Sequence, residues 1–188
     1  MGKNGNRARM RMPCHSCILR EFDCFAPFTK AEEEFMVEFK SGELDVDPGS
    51  TIVLEGSMSP HLYTVLEGSG IRHKTLEDGR RQVLGFVFPG DFVGLQTAVM
   101  EEMQHTVEAV TKMVLCVFQR SDFYSMFVKI PERGFDVAWL AAREEYLLGD
   151  HLVTVGRRSA DERVAFGLWT LHRRALDVGL ATQRKMEM

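Results

Sequence analysis

Two features that would mark a membrane protein or a nucleic-acid-binding domain are missing from this sequence. None of its 188 residues lies in an apolar run of about 18 residues or more, the length that a membrane-spanning helix needs. The first residues, MGKNGNRARMRM, are basic and polar and lack the apolar stretch of a signal peptide. The net charge is −4 and the isoelectric point is near 5.9, so the chain as a whole does not attract nucleic acid. We predict a cytoplasmic protein with no membrane partner.

The motifs of common enzyme classes are also missing. The six histidines show no HExxH or HxxxH spacing, and the sequence has no nucleophile elbow, Walker loop or Rossmann glycine pattern. Gly68-Ser-Gly70 lies between two predicted strands and is a turn. We therefore predict that the chain is not an enzyme.

Four cysteines are present, and three of them are crowded near the start. Cys14-His-Ser-Cys17 is followed by Cys24, and Cys116 comes much later. Disulfides are rare in the cytoplasm, so metal binding, thiol chemistry and simple burial are the alternatives. Thiolates are soft ligands for zinc or iron, and a two-residue gap lets both sulfurs reach one site. The residues alone leave open an iron–sulfur cluster, zinc with help from His15, a thiol–disulfide switch, or a Cys116 that is only a small core residue.

Short apolar runs separated by turn residues fill the middle of the chain. Thr29 and the acidic residues after it predict a short helix that ends near Ser41-Gly42. From Gly42 to about Gln119 the pattern predicts an antiparallel β-roll of roughly eight strands. The runs that we expect to form strands are 51–54, 61–66, 70–75, 83–88, 106–110 and 113–118.

The last third of the chain is predicted to be helical. A short helix is expected through Phe127, and a long one from Glu132 to about Val155. The apolar residues of the long helix form more than one stripe, which indicates a second partner surface besides the roll. Ser159 and Glu162 have capping-box spacing and predict another helix, from Asp161 to about Asp177, that Gly179 ends.

Three segments resemble the CRP/FNR family of bacterial transcription regulators. They are Pro89-Gly-Asp-Phe-Val-Gly94, Val65-Leu-Glu-Gly-Ser-Gly70 and Gly156-Arg-Arg-Ser-Ala-Asp-Glu-Arg163. The resemblance covers about residues 14–180. It implies a mainly β fold with α-helices, in which a jelly-roll type β-roll of the cyclic-nucleotide-binding kind precedes a long dimerisation helix and the start of a helical DNA-binding region. Residues 1–13 would then be a disordered basic tail, 14–28 the cysteine-bearing segment, 29–130 the sensor domain, 131–156 the dimerisation helix and 157–188 the first helix and the approach to a winged helix.

The family resemblance implies a homodimer, and it places DNA binding in a separate C-terminal domain. Its winged helix-turn-helix needs roughly 70 residues after the capping-box helix, so we expect DNA binding to require a C-terminal domain that this chain lacks, and any contact with RNA polymerase to belong to the full-length form. We assign to the dimer interface Leu140, Leu147, Asp150 and His151, with Asp150 resembling an acidic residue of the family's dimer face.

The sequence separates the family's two main ways of sensing. Cyclic-nucleotide binders need a Glu after the helix-starting glycine and an Arg-Ser pair about ten residues on, to hold ribose and phosphate. Here Leu95 follows Gly94, Met103-Gln104 stands where the pair is expected, and no Arg occurs between Arg81 and Arg120. We therefore predict that cyclic AMP is not the ligand.

The branch named for FNR instead holds an oxygen-labile [4Fe–4S] cluster on cysteines, and this chain resembles it. The implied ligands are Cys14, Cys17, Cys24 and Cys116, although six residues separate Cys17 from Cys24 where the best-known pattern has five. The implied function is an oxygen- or redox-responsive transcription regulator. The alternative is a dimerising module that only senses, or that answers to zinc, thiol oxidation or another effector.

Overall fold

The computed structural model describes residues 12–21, 27–182 and 185–186 of the chain. Helix α1 (Lys30–Phe39) precedes eight strands that form the roll. The strands are β1 (Lys40–Val46), β2 (Thr51–Val53), β3 (His61–Glu67), β4 (Gly70–Thr75), β5 (Arg81–Val87), β6 (Phe92–Val93), β7 (Thr106–Ala109) and β8 (Met113–Gln119), with helix α2 (Leu95–Met100) between β6 and β7.

Two antiparallel four-stranded sheets build the roll. Their strand orders are β1-β8-β3-β6 and β2-β7-β4-β5. Val65, Val107 and Leu115 lie fully buried between the sheets. The outer face of β3 and β8 is also buried, because Leu62, Leu66, Cys116 and Phe118 pack against helices. This double burial explains why β3 and β8 are almost continuous apolar runs.

Helices complete the chain after the roll. They are α3 (Phe123–Lys129), α4 (Pro131–Arg157) and α5 (Ala160–Asp177), followed by the short pair β9 (Ala181–Thr182) and β10 (Lys185–Met186). Thr29 and Ser159 each form a capping box, with Glu32 and Glu162 respectively. Among the helices that the structure describes, none is long and apolar enough to span a membrane.

The mainly β roll followed by long helices is confirmed, but the predicted end of α1 is wrong. The helix ends at Phe39, and Lys40–Val46 forms β1, which pairs with β8. This strand was missed because its sequence, KSGELDV, has only two large apolar residues, and backbone pairing with β8 decides its conformation. The two-residue strand β6 was missed because pairing with Tyr63 and Thr64 of β3 creates it.

Candidate functional site

Three of the four predicted cysteine ligands face one cavity. Cys14 begins a 3-10 turn that ends at Ser16, and Cys17 follows it directly. Cys116 lies on β8, between Glu43 of β1 and Thr64 of β3. All three line a cavity of about 140 Å³ whose other walls are mostly apolar. Cys24 lies outside the described residues.

Buried Lys40 and Glu43 of β1 hold the start of the cysteine-bearing segment against the roll. The Lys40 Nζ atom donates to the Met12 carbonyl oxygen at 2.7 Å and to Glu43 Oε1 at 2.6 Å. The Met12 amide donates to the same Glu43 oxygen at 3.0 Å. On the other side of the turn, Arg20 pairs with Glu33 of α1 at 2.6 Å. Contacts on both sides of the turn, to β1 and to α1, thus fix the position of its two cysteines.

Burial makes the three thiols weak acids. Removal from water raises the pKa of Cys14 and of Cys17, although the nearby Lys40 charge acts in the opposite direction. The same cause raises the pKa of Cys116 from 9.0 to about 12. The thiols are therefore neutral at physiological pH, and a metal would have to displace their protons to bind.

Cys14, Cys17 and Cys116 line one cavity but are not grouped closely enough to bind a single metal ion. In the part of the chain that the structure describes, no three His, Cys, Asp or Glu side chains are grouped to hold one metal ion. His15 is exposed, whereas Cys14 and Cys17 are half-buried. A cluster differs from one ion because each thiolate binds its own iron, so its ligands need not converge on one point. Three soft donors around an apolar cavity fit such a group.

The start of α4 forms one wall of the same cavity. Val137 and Leu140 line it together with Arg133 and Asp136. The Arg133 guanidinium lies 4.3 Å from the centre of the Phe28 ring and 3.5 Å from Glu32 Oε1. Sequence reasoning missed the contribution of Arg133, Asp136 and Lys40, because no local pattern distinguishes them from surface charges.

A second cavity, of about 360 Å³, lies between β5, α2, α4 and α5. Its lining includes Gly94. It also includes Leu95 and Met103, which stand where a nucleotide site would have its Glu and its Arg. Arg72, Arg143 and Arg174 also reach it, but Arg72 pairs with Glu144, and the other two pair with Asp91. Two carboxylates of the chain itself, Glu144 and Asp91, are thus shared among these three guanidinium groups.

Three of the four predicted interface residues on α4 face their own roll. Leu140 is buried, and Leu147 and His151 line the second cavity. His151 Nδ1 lies 2.6 Å from the Leu84 carbonyl oxygen, and Asp150 is half-buried. Their role between two chains stays a prediction. Large apolar side chains are also exposed along α4, namely Phe135, Trp139, Tyr146, Leu152, Val153 and Val155. Leu148 is half-exposed and lines the second cavity.

Comparison with known proteins finds one matching domain family and several similar bacterial regulators. A protein-family model described as "Cyclic nucleotide-binding domain" matches residues 43–129. The nitrogen fixation regulation protein FixK of Bradyrhizobium diazoefficiens is 33% identical over 153 residues, which are 81% of this chain and 63% of that relative. The transcriptional activator protein FnrL of Cereibacter sphaeroides is 30% identical over 67% of this chain and 50% of its own length. The chain thus spans about half to two thirds of these curated relatives.

Solved structures agree on the fold. FixK2 from Bradyrhizobium japonicum has a TM-score of 0.64 and 28% identity, covering 75% of this chain and 68% of that one. The catabolite activator protein of Thermus thermophilus has a TM-score of 0.60 at 22% identity, covering 83% of this chain and 79% of its own, which is evidence for the fold alone.

Proposed function

Because the chain belongs to the CRP/FNR family of transcription regulators, we propose that it is the sensing part of a regulator that responds to oxygen or redox state. In this proposal Cys14, Cys17, Cys24 and Cys116 hold a [4Fe–4S] cluster. The observation that carries it is the shared cavity, which joins two cysteines of an N-terminal turn to a third on a central strand.

Two alternatives for the thiols have less support. Zinc needs four ligands that converge on one ion, and the described side chains are not grouped in that way. A thiol–disulfide switch needs an exposed thiol with a lowered pKa, whereas burial raises the pKa of Cys14 and Cys17. Both observations favour a larger soft group, whose binding energy can displace the thiol protons.

The second cavity supports the prediction against cyclic AMP. A cyclic phosphate needs a guanidinium that is free to pair with it. Arg72, Arg143 and Arg174 are already paired with Glu144 and Asp91. Leu95 adds an apolar side chain where the ribose hydroxyl would need an acceptor.

We propose that α4 carries the signal from the cysteine site to the rest of the protein. When bound, the cluster supplies the reactivity toward oxygen. The chain's own residues hold the cysteine turn on β1 through Lys40 and pack Val137 and Leu140 of α4 against the same cavity. A change in how the turn is held therefore changes the packing of the first half of α4.

Dimerisation and DNA binding are the expected outputs. Trp139, Tyr146 and Val153 repeat at heptad spacing on the exposed side of α4, which is typical of a helix that pairs with a second copy. Specific DNA binding would come from a winged helix-turn-helix, as in the family. The alternative, a module that senses and dimerises without binding DNA, rests on the same face of α4. Gel-shift assays with the product of the complete gene distinguish the two.

Anaerobic reconstitution with ferrous iron and sulfide tests the cluster. We expect a brown protein with thiolate-to-iron absorption that is lost in air, and a sedimentation coefficient that changes with it. Cys116→Ser is expected to abolish the absorption. His15→Ala, in the same turn, is the matched control and should retain it, whereas a zinc site that uses His15 would lose affinity. A protein that stays colourless, with one unchanging mass in both states, would refute the proposal.

A further inference from the structure

Asp91 is the most deeply buried carboxylate among the described residues. It ends the Pro89-Gly90-Asp91 turn that precedes β6, and its side chain has no exposed surface. Its Oδ2 atom accepts a hydrogen bond from the Phe88 amide at 2.9 Å, which closes the turn. One hydrogen bond cannot offset the cost of burying a full negative charge. Asp91 therefore needs further partners.

Two arginines from different helices form ion pairs with the Asp91 carboxylate. The Arg174 Nη2 atom of α5 lies 2.7 Å from both carboxylate oxygens. Arg143 of α4 also donates to Asp91 Oδ1. Arg174 is further held by the Phe86 carbonyl oxygen at 2.9 Å and by the Phe88 ring, whose centre lies 5.1 Å from its guanidinium carbon. One carboxylate therefore joins the roll, α4 and α5.

The charge of Asp91 is stable in this setting. Burial acts to raise the pKa of its carboxyl, but the positive charges of Arg174, Arg143 and Arg72 outweigh burial and hold the pKa below its usual value. The ion pairs are thus present at physiological pH. Charge-assisted bonds of this kind are among the strongest polar contacts in proteins.

Apolar packing of α5 is modest. Only Thr170 and Ala175 are buried, Phe166, Leu171 and Leu176 are half-buried, and Val164, Leu168 and Trp169 are exposed. Because the hydrophobic contribution scales with the apolar area that is buried, this helix gains little from packing. Its N-terminus is secured by Ser159 and Glu162, but that capping box is local to the helix.

We infer that Asp91 is the anchor by which the roll holds α5, and that the Asp91–Arg174 pair sets the direction in which the chain leaves the sensor unit. None of the ion pairs of this anchor involves a cysteine. Its position nevertheless connects it to the cysteine site, because Gly90 and Phe92, the residues on either side of Asp91, line the cysteine cavity.

Hydrogen exchange of the metal-free, reduced protein tests the anchor. Arg174→Gln removes the helix partner and leaves the turn bond between Asp91 and Phe88 intact. We expect amides of α5 to exchange about tenfold faster or more, since a buried charge loses its main partner. Arg173→Gln is the matched control, because Arg173 is exposed and stacks on Trp169 within the same helix, 5.6 Å from the ring centre.

Three results would overturn the inference. One is unchanged exchange of α5 in Arg174→Gln, and another is an equal increase in Arg173→Gln, which would indicate a general charge effect. The third is an equal loss of protection in β3 and β8, which would make the pair a contact for the stability of the whole domain. Arg174→Lys keeps the charge but has a single nitrogen for the Asp91 carboxylate and the Phe86 carbonyl oxygen, which Arg174 binds with two. It should fall between the wild type and Arg174→Gln.

Discussion

Leu140 of α4 and Cys116 of β8 line the same cavity. One belongs to the helix expected to pair with a second copy, and the other to the strand expected to supply a cluster ligand. Leu140 also borders the second cavity, next to Leu84 and His151. The helix therefore forms part of the wall of both cavities.

Truncating Leu140 should weaken the attachment of α4 to the roll. Its side chain is 6% exposed, and Leu140→Ala is expected to lower the free energy of unfolding by about 2–5 kcal/mol because it leaves a cavity. Leu152 on the same helix is 75% exposed, so Leu152→Ala should change it by at most about 0.5 kcal/mol in dilute protein. Urea denaturation of the metal-free protein measures both. Equal losses would contradict the packing of α4 described above.

The Cys116 thiol should make stability depend on alkaline pH. Its pKa is raised from 9.0 to about 12 in the folded protein, so the folded state binds this proton more tightly than the unfolded state. The resulting stability is fully present below pH 9 and is lost as the pH rises through about 12, at about 1.4 kcal/mol per pH unit. Cys116→Val should lack this part of the slope. Unfolding of the metal-free, reduced protein at several pH values gives the difference, and parallel slopes would refute the prediction.

Loading the cysteine cavity should protect the first half of α4. Val137 and Leu140 are in its wall, so a bound group restricts the local opening that permits amide exchange. Anaerobic hydrogen exchange before and after reconstitution should show slower exchange in residues 131–140. The exposed turn at residues 76–80 serves as the internal control. A protein with cluster absorption but unchanged exchange in 131–140 would exclude this route while leaving the cluster itself intact.

A charge on the exposed side of α4 should weaken self-association. Tyr146 is 67% exposed on α4, and Tyr146→Glu is expected to raise the dimer dissociation constant roughly 30-fold, equivalent to about 2 kcal/mol for an aromatic interface residue. Tyr124 is 77% exposed on α3, and Tyr124→Glu is the matched control. Sedimentation equilibrium measures both. If Tyr124→Glu has the larger effect, the pairing surface is not on this side of α4.

The regular elements were predictable where local chemistry decides them. The helix start at Thr29, the capping box at Ser159 and the strands β3 and β8 were predicted from local patterns and are confirmed. The cysteine set could be proposed from spacing and resemblance, and the common cavity brings Cys14, Cys17 and Cys116 together. Cys24 lies outside the described residues, so its part in the site remains a prediction.

The contacts of charged side chains were not predictable. Lys40, Arg133 and Arg174 resemble ordinary solvated charges in the sequence, because a charge has no periodicity that reveals its partner. Lys40 nevertheless fastens the cysteine turn, and Arg174 reaches Asp91 across 83 positions of the chain. The sequence also could not show which side of α4 faces the roll, because apolar residues form more than one stripe along this helix.

By itself, the sequence determined the roll, the helix starts, the grouping of cysteines and the absence of a phosphate-binding cassette, because each depends on residue type and short spacing. The tertiary structure alone decided that Cys116 meets the N-terminal turn, that Leu140 faces inward while Tyr146 faces outward, and that Asp91 joins three elements. These relationships depend on how distant segments pack. Burial makes them matter energetically, because a charge removed from water needs the partners that packing supplies.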